Sequence, residues 1–470
     1  MPEAVPDIPA VQVQRGFRKP GKKAVKLAVE QWHQKLSGRD MGLYIEHCKA
    51  LCAKPITVGM GFAGCDVGFE VMKYLAEYVK LNLGVTLTFQ VLWRCEKDPD
   101  RQRWLRKQYP DMTLLFDTME ELGGIRAYNV ISGSYDLIPH VMLFIAGWTC
   151  VDKSAFNSQR AKLKMCLRDR SGKSGKALDW TLRCIAKSRP DVVILENVGT
   201  LLHKLDFPEG EPATDAEYIE QELAKISYDC VTQHVQASDY GSFADRFRLY
   251  WVCVNLMKGK KGISAEAMTL TASLHIPKYP LTTFFGDGLE DIIDGNLFWK
   301  HDKEPETKFF DDLMLAYEYY KLPYPPVMEI KGTRFMESLK PLSQRQRQIL
   351  FLADTVDVLS TVPGQIEFVD INQSLEYISK NAPSFFTSGS IPTLATSTQI
   401  YARLRLAEGD VAYALLHGSL MMRLVGFDSS MYNGEEQMME HELLKQMAGN
   451  AFSAFAFGPV LMGALGAWPS

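Results

Sequence analysis

The sequence predicts an α/β fold with a mostly parallel sheet, because three short apolar runs each carry reactive side chains at one end. These are Cys150 after VMLFIAGW, Glu196 and Asn197 within DVVILENV, and Arg246 and Arg248 before LYWVCVNL. Apolar runs separated by amphipathic helical segments are typical of a parallel sheet covered on both faces. Such sheets bind ligands at the carboxyl ends of their strands, so we expect these side chains to share one crevice.

The other elements follow in order along the chain. ITVGM (56–60) predicts the first strand, and the turn FAGCD leads into a helix through 71–79. TFQVLWRCE predicts a second strand that ends at Glu96, followed by a helix rich in Arg and Trp. KALDWTLRCIAKSRP has apolar residues at helical spacing until Pro190 ends it, and EYIEQELAKI repeats that spacing.

Changes in regularity divide the chain into four segments. After about residue 257 the pattern gives way to polar loops, aromatic clusters and prolines, which indicates a separate lobe. The predicted segments are a tail with a lead-in helix (1–52), the first part of the sheet domain (53–257), the lobe (258–390) and a return to the sheet domain (391–470).

Residues 451–468 (AFSAFAFGPVLMGALGAW) carry no charge over a length that barely suffices to cross a bilayer. Gly458, Pro459 and Gly463 and the lack of basic flanks favour a helix buried against the sheet instead. We therefore expect no contact with a membrane.

Composition indicates an intracellular enzyme. The chain has 470 residues, of which 46% are hydrophobic, enough for a large core in two lobes. Its nine cysteines form no CxxC pair, and the odd number argues against a disulfide framework or a zinc ribbon, so no metal site is expected. The first residues lack a signal peptide's apolar core. We expect a nuclear protein if the source is eukaryotic, a cytoplasmic one otherwise, and not a secreted one.

Charge bears on nucleic-acid binding in two ways. The net charge of -4 excludes a globally basic body, so any nucleic acid would need a local positive cleft. A basic stretch near the start fits either a solvated tail or a nucleic-acid arm or nuclear address. Its members are Arg15, Arg18, Lys19, Lys22, Lys23 and Lys26.

The turn formed by Phe62, Ala63 and Gly64 stands between a strand and a helix. Glycine lets a ligand approach the backbone closely, and the start of the helix offers unpaired N–H groups to a negative group. An acid at the end of the next strand, here Glu96, commonly accepts hydrogen bonds from ribose hydroxyls. Taken singly, each feature also fits a packing glycine or a solvated acid.

Cys150 taken alone fits a small buried apolar residue. Its place at the end of a strand, with Lys153 and Arg160 in the following loop, instead predicts a partly exposed thiol in a positive setting that favours the thiolate. A half-buried Glu196 at the same sheet edge is expected to hold a proton near neutrality and to hydrogen-bond to a ring nitrogen.

Six motifs occur in the order FAGCDVGFE, CE (95–96), GWTCVDKS, LENVGTLL, DYGSFADRFRLYWV and MAGNAF. Together they resemble the ordered motifs of the DNA cytosine-5 methyltransferases over roughly 56–256 and 391–460. The resemblance implies a Rossmann-like fold that uses S-adenosylmethionine as cofactor and DNA as partner. It also implies that 258–390 is a smaller target-recognition lobe and that IPTLATST re-enters the large domain.

The resemblance assigns roles residue by residue. The cofactor residues that it implies are Phe62, which packs on the adenine, Ala63 and Gly64 in the glycine motif, Glu96 on the ribose, Asp117 near the adenine amino group, and Asn450. The catalytic residues that it implies are Cys150, Glu196, Arg246 and Arg248, with Ser154 and Asn197 as substrate-binding residues. The implied reaction adds the cysteine to carbon 6 of a flipped cytosine before carbon 5 is methylated.

Some positions depart from the family pattern. Thr149 replaces a proline, Asp66 and Val67 replace glycines, Met60 replaces an acid, and Ala244 replaces a glutamine. A loop without proline is less restrained, and side chains in place of glycine are expected to crowd the cofactor. Two alternatives stay open: a degenerate binding protein, and a tRNA cytosine-5 methyltransferase, although that branch's CFT motif is absent. A nucleotide-dependent oxidoreductase leaves the pairing of ENV with RFR unexplained.

Overall fold

The structure is a computed structural model, and parts of the chain lie outside the described residues. It describes residues 24–154, 157, 159–204, 210–285, 418–427 and 437–469, with short pieces between 346 and 416. Most of the predicted lobe lies outside the described residues. The basic stretch also lies outside them, except for Lys26. Lys26 forms an exposed ion pair with Glu77.

A nine-stranded sheet forms the centre of the large domain. Its strands are β1 (Ile56–Gly61), β2 (Phe89–Cys95), β3 (Leu115–Phe116), β4 (Arg126–Asn129), β5 (Ser134–Leu137), β6 (Leu143–Gly147), β7 (Val192–Val198), β8 (Tyr228–Gln236) and β9 (Phe247–Asn255). They lie in the order β5-β4-β3-β2-β1-β6-β7-β9-β8. The five central strands, β3, β2, β1, β6 and β7, are parallel, and an antiparallel pair of strands flanks them on each side. The predicted α/β fold with a mostly parallel sheet is confirmed.

One part of the parallel prediction was wrong, because β9 runs antiparallel to β7. Arg246 comes directly before β9 and Arg248 is its second residue, whereas Glu196 lies near the end of β7. Only an antiparallel β9 brings both to the same sheet edge, and Arg248 accordingly pairs with Val198 across the two strands. The shared crevice was therefore predicted correctly, although the direction expected for β9 was wrong.

Helices cover both faces of the sheet. They are α1 (Ala24–Lys35), α2 (Gly38–Leu51), α3 (Val67–Leu83), α4 (Pro99–Gln108), α5 (Gly172–Ser188), α6 (Asp215–Lys225), α7 (Ile263–Ser273), α8 (Thr282–Phe285), α9 (Gly418–Leu424), α10 (Gln437–Asn450) and α11 (Ala454–Gly466). Alternate residues of β7 belong to two separate cores: Ile194 packs with α1, α3 and α11, and Leu195 packs with α5 and α6. This alternation explains why the strand reads as a continuous apolar run.

The apolar segment near the end of the chain forms the buried helix that the sequence predicts. The stretch Glu442–Gly466 is long and apolar enough to span a membrane, yet 89% of its most apolar window is buried inside the protein. Helix α11 packs against α7, α2, α3 and β9. A Cβ on Gly458 would lie 2.3 Å from the Trp32 ring, so glycine there permits the close approach of α1.

A second, antiparallel sheet has the order β11-β10-β12-β13. Its strands are β10 (Ile366–Asp370), β11 (Phe386–Ser388), β12 (Ile400–Arg405) and β13 (Val411–Leu415), so it includes residues on both sides of position 390. Within IPTLATST, Ile391 bridges to Ala244, and the Thr393 hydroxyl donates to the Asp245 carbonyl at 2.6 Å. The return segment therefore contacts the chain just before β9. The domain boundaries themselves stay predictions.

Candidate active site

One cavity of about 550 Å³ contains residues from both halves of the predicted site. It lies at the carboxyl ends of β1, β2, β6 and β7. Its lining includes Phe62, Gly64, Glu96, Cys150, Asn197, Glu196, Arg246, Arg248 and Asn450. Residues nearly 400 positions apart in the chain thus meet at the edge where the parallel strands end, β9 begins and α10 ends.

The glycine turn after β1 is held by backbone hydrogen bonds. Phe62 and Gly64 both have positive φ angles, 53° and 56°. A non-glycine residue rarely adopts this conformation, which marks the turn as specially constrained. The Ala63 N–H donates to the Cys95 carbonyl, and the Gly64 N–H donates to a Glu96 carboxylate oxygen, both at 2.9 Å. The turn is therefore fastened to the end of β2.

Glu96 and Asp117 are linked through a residue that the sequence did not reveal. The Gln102 side-chain amide donates to the Glu96 carbonyl at 2.6 Å and to the Asp117 carboxylate at 2.8 Å. The Asp98 N–H donates to the other Glu96 carboxylate oxygen at 2.9 Å. Gln102 is buried and lies in the first turn of α4, six residues beyond Glu96, and this place at the start of the helix after β2 is the signal that could have identified it.

Asp66, expected to crowd the cofactor, has its carboxylate engaged within the protein. It accepts from the Phe69 N–H at the start of α3 and pairs with the buried Arg94. The guanidinium of Arg94 also lies 4.1 Å from the ring centre of Tyr109. Burial raises the pKa of Asp66, and Arg94 opposes that rise. The carboxylate thus serves the packing of α3 and β2.

The thiol of Cys150 is partly buried and lines the cavity. Burial and the neighbouring Glu196 raise its pKa, while Arg248 and Arg246 oppose that rise. The predicted thiolate-favouring setting was therefore wrong for the free protein. The physical reason is burial together with the Glu196 carboxylate. The Lys153 ammonium, which was expected to supply positive charge, is instead buried in an ion pair with Asp215 at 2.7 Å.

Glu196 and Arg248 form an ion pair at the cavity wall. The Arg248 Nε lies 3.0 Å from a Glu196 carboxylate oxygen. Burial raises the pKa of Glu196, and Arg248 and Arg246 only partly offset this. A Cβ on Gly147 of β6 would come within 3.0 Å of the other Glu196 oxygen, so glycine there leaves room for the carboxylate.

Three predicted site residues hold backbone in place. Buried Arg246 donates to the carbonyls of Leu394, Gly449 and Ala451 at 2.6 to 2.9 Å. The Asn197 amide donates to the Trp148 carbonyl at 3.1 Å and accepts from the Val198 N–H. The Ser154 N–H donates to the Cys150 carbonyl at 2.8 Å. The substrate contacts of Asn197 and Ser154 stay predictions, while these bonds give both residues a part in shaping the cysteine loop.

A second cavity of about 560 Å³ adjoins Cys150 on the other side. Its lining includes Ser154, Thr200, His203, Phe247, Arg248, Thr393 and Asn450. Asn450 is exposed at the end of α10 and lines both cavities. Arg101, Lys173 and Gln446 also line the first cavity. No motif marked these three residues, because only the folded sheet brings their helices to this edge.

The sequence profile of the C-5 cytosine-specific DNA methylase family matches residues 60–454. The chain belongs to this family. The match includes every predicted site residue, from Phe62 to Asn450.

Individual relatives are more distant. The chain is 29% identical over 154 residues, 33% of its length, to the DNA (cytosine-5-)-methyltransferase DMT5 of Cryptococcus neoformans, and this match spans 6% of that relative. Among solved structures, S. pombe Dnmt2 methyltransferase is 11% identical with a TM-score of 0.42, covering 87% of this chain and 98% of that one. The Entamoeba histolytica methyltransferase EhMeth is 12% identical with a TM-score of 0.44, covering 88% and 98%.

Proposed function

We propose that this chain transfers a methyl group from S-adenosylmethionine to carbon 5 of cytosine in DNA, with Cys150 as the nucleophile. The observation that carries the proposal is that Glu96, Cys150 and Glu196 line one cavity. We call Phe62, Gly64 and Glu96 the cofactor side and Cys150, Glu196 and Arg248 the base side. A donor and an acceptor held on opposite sides of one cavity can react without leaving it.

The cofactor side fits S-adenosylmethionine in size and chemistry. Ligand cavities of roughly 300 to 1,000 Å³ hold small molecules, and this one lies within that range. Glu96 would accept from the ribose hydroxyls, and Phe62 would pack on the adenine. Asp117, which was predicted to lie near the adenine amino group, is not part of the cavity lining and would act by orienting Gln102 beside Glu96. Asn450 would close the cavity from α10. When bound, S-adenosylmethionine supplies an electrophilic methyl group.

On the base side, the thiolate of Cys150 would form a bond to carbon 6 of cytosine. This addition makes carbon 5 nucleophilic, since the ring then has enamine character. Loss of the proton from carbon 5 would later restore the double bond, break the sulfur–carbon bond and release the thiolate. Burial and Glu196 raise the pKa of Cys150, so the neutral thiol is favoured before the base binds.

Glu196 and Arg248 would hold the ring during this addition. Because burial raises its pKa, Glu196 is suited to share a proton with ring nitrogen 3 as charge develops there. Arg248 would donate to the base carbonyl while keeping its ion pair. Arg246 would keep the segments around Leu394 and Gly449 against this wall.

A cytosine inside a duplex cannot reach Cys150, so the base would have to be extruded at a cost of a few kcal/mol. The second cavity offers a route to the thiol from outside the sheet edge. With a net charge of -4, the chain needs local cations at this face, and Arg248 is one. Segment 258–390 is the proposed target-recognition lobe.

The experiment measures transfer of labelled methyl from S-adenosylmethionine to duplex DNA and to tRNA, with wild type and Cys150→Ser. We expect transfer to DNA by wild type alone. If both proteins leave both substrates unmethylated, catalysis is excluded and the degenerate binding protein becomes the leading alternative. The raised pKa of Cys150 and the threonine in place of proline at position 149 are the observations that favour it. Transfer to tRNA alone supports the RNA enzyme. DNA carrying 5-fluorocytosine should trap Cys150 covalently, because fluorine blocks the elimination.

A further inference from the structure

The loop directly after Cys150 is attached to the first turns of two helices. The Asp152 N–H donates to the Ser174 hydroxyl at 3.1 Å, and the Ser174 N–H donates back to the Asp152 carboxylate at 2.7 Å. Ser174 lies in the first turn of α5, whose own N-cap residue, Ser171, makes no side-chain cap. Asp152 therefore satisfies an N–H group of α5 from outside the helix.

Lys153 makes the second attachment. Its ammonium pairs with the Asp215 carboxylate at 2.7 Å, and the two side chains are only 5% and 3% exposed. The same ammonium donates to the Lys164 carbonyl at 2.5 Å. Asp215 is the first residue of α6, a helix that begins with a complete capping box at Thr214. The partner of Lys153 thus stands on a rigid helix end.

A third bond joins this loop to the strand that carries Glu196. The Thr200 hydroxyl, just beyond β7, donates to the Lys153 carbonyl at 2.6 Å. Neither Lys153 nor Asp215 lines either cavity, so neither side chain can touch a bound base or cofactor. Arg168, with its Nε 3.5 Å from Asp215, shares that carboxylate. The pair is therefore placed to position the loop.

We propose that the buried Lys153–Asp215 ion pair positions Cys150, in a loop where Thr149 leaves φ unrestrained. This inference rests on the proposed function for its kinetic consequence. Removing Lys153 takes the closer of two cations from the buried Asp215 carboxylate and leaves Arg168 at 3.5 Å, and breaking a buried ion pair in this way is strongly destabilising. Lys153 lies two residues after Val151 and three after Cys150. The pair therefore fixes the loop that determines where the thiol lies relative to Glu196.

The test compares Lys153→Met with wild type. We expect kcat and the rate of 5-fluorocytosine trapping to fall about 10²-fold, because a small displacement of a reacting group costs that much. The dissociation constant for S-adenosylmethionine should stay unchanged, since the cofactor side does not contact the pair. If Lys153→Met does not fold, Lys153→Gln keeps a donor for the Lys164 carbonyl and takes its place.

Glu222→Gln is the matched control. Glu222 pairs with Arg170 and so also joins α6 to the chain before α5, but it holds no residue of the cysteine loop. We expect this variant to lower the melting temperature without changing kcat. Equal losses of kcat in Glu222→Gln and Lys153→Met, or normal kcat in folded Lys153→Met, overturn the proposal.

Alkylation by iodoacetamide separates this inference from the proposed function. Peptide mass spectrometry measures the labelling rate of Cys150 against the exposed Cys52 in the same chain. In Lys153→Met, Cys150 should be labelled faster relative to Cys52, because a loop that is no longer fixed does not keep the thiol partly buried. In Glu222→Gln the ratio should not change. This outcome supports the positioning role even if wild type methylates no nucleic acid. An unchanged ratio in folded Lys153→Met overturns it.

Discussion

The two sides of the cavity are held by different forces. On the cofactor side, Glu96 is surrounded by backbone N–H groups of Gly64 and Asp98, and the turn is bonded to the end of β2. On the base side, Glu196 and Arg248 form an ion pair next to a thiol whose pKa burial raises. The hydrogen bonds of the cofactor side are thus formed before any ligand binds. On the base side, a substrate has to share or displace the ion pair between Glu196 and Arg248.

This difference separates binding from chemistry. Side chains that internal hydrogen bonds already hold in place can bind a ligand without first becoming ordered, which favours affinity. On the base side, burial raises the pKa values of Cys150 and Glu196, and groups with shifted pKa values are suited to proton transfer in a chemical step. Changes on the base side should therefore reduce kcat, and changes on the cofactor side should reduce affinity for S-adenosylmethionine.

The largest expected effect comes from Cys150→Ser. Loss of the nucleophile should reduce methyl transfer by more than about 10⁴-fold, because a hydroxyl does not replace a thiolate in the addition. Affinity for S-adenosylmethionine, measured by calorimetry, should stay unchanged. Cys52→Ser, at an exposed cysteine, serves as the control and should retain full activity. Substantial transfer by Cys150→Ser would contradict the assignment of the nucleophile.

Glu196→Gln should come next, with a loss in kcat of about 10²- to 10⁴-fold, the range for a group that transfers a proton. The same change should speed alkylation of Cys150, because the carboxylate that helps to raise the thiol's pKa is gone. Opposite movements of these two rates, measured on one preparation, identify an electrostatic role. A fall in both rates indicates a collapsed site instead.

On the cofactor side, Glu96→Ala should weaken S-adenosylmethionine binding by roughly 10- to 100-fold, since a hydrogen bond to a charged group contributes about 1.5 to 3 kcal/mol. At saturating cofactor, kcat should stay close to that of wild type. Asp100→Asn, at an exposed acid of α4, is the control. A large fall in kcat with normal affinity would show that the two sides are not separable.

The smallest effect concerns pH. Burial and Glu196 raise the pKa of Cys150 above its ordinary value of 9.0, so the neutral thiol is favoured. The rate of Cys150 alkylation in the free protein should therefore keep rising as pH increases through 9.0. Glu196→Gln should move this profile towards lower pH. A plateau in wild type below pH 8 would mean that the cations prevail over burial.

Strand positions and the meeting of Cys150 with Glu196 could be predicted from the sequence, because apolar runs and their polar ends follow local rules. The direction of β9 could not be predicted with the same rules, since strand pairing depends on distant segments. The one hint of the reversal is that Arg246 and Arg248 precede their apolar run, whereas Glu196 stands near the end of its own.

The environment of individual charges was harder to predict. Lys153 follows Cys150 closely in the sequence, yet it is directed into the protein towards Asp215, a residue 62 positions later. Gln102 joins Glu96 to Asp117 only because α4 begins directly behind β2. Such partners come from tertiary packing, which residue spacing does not encode.

The bonds made by Arg246 have a consequence for how the protein is made. Its carbonyl partners at Gly449 and Ala451 are 203 and 205 residues further along the chain. At ribosomal speeds these residues leave the tunnel roughly 10 to 40 s after the arginine. During most of that interval the guanidinium lacks two of its three carbonyl acceptors, so this edge of the sheet is completed only after the junction between α10 and α11 has emerged.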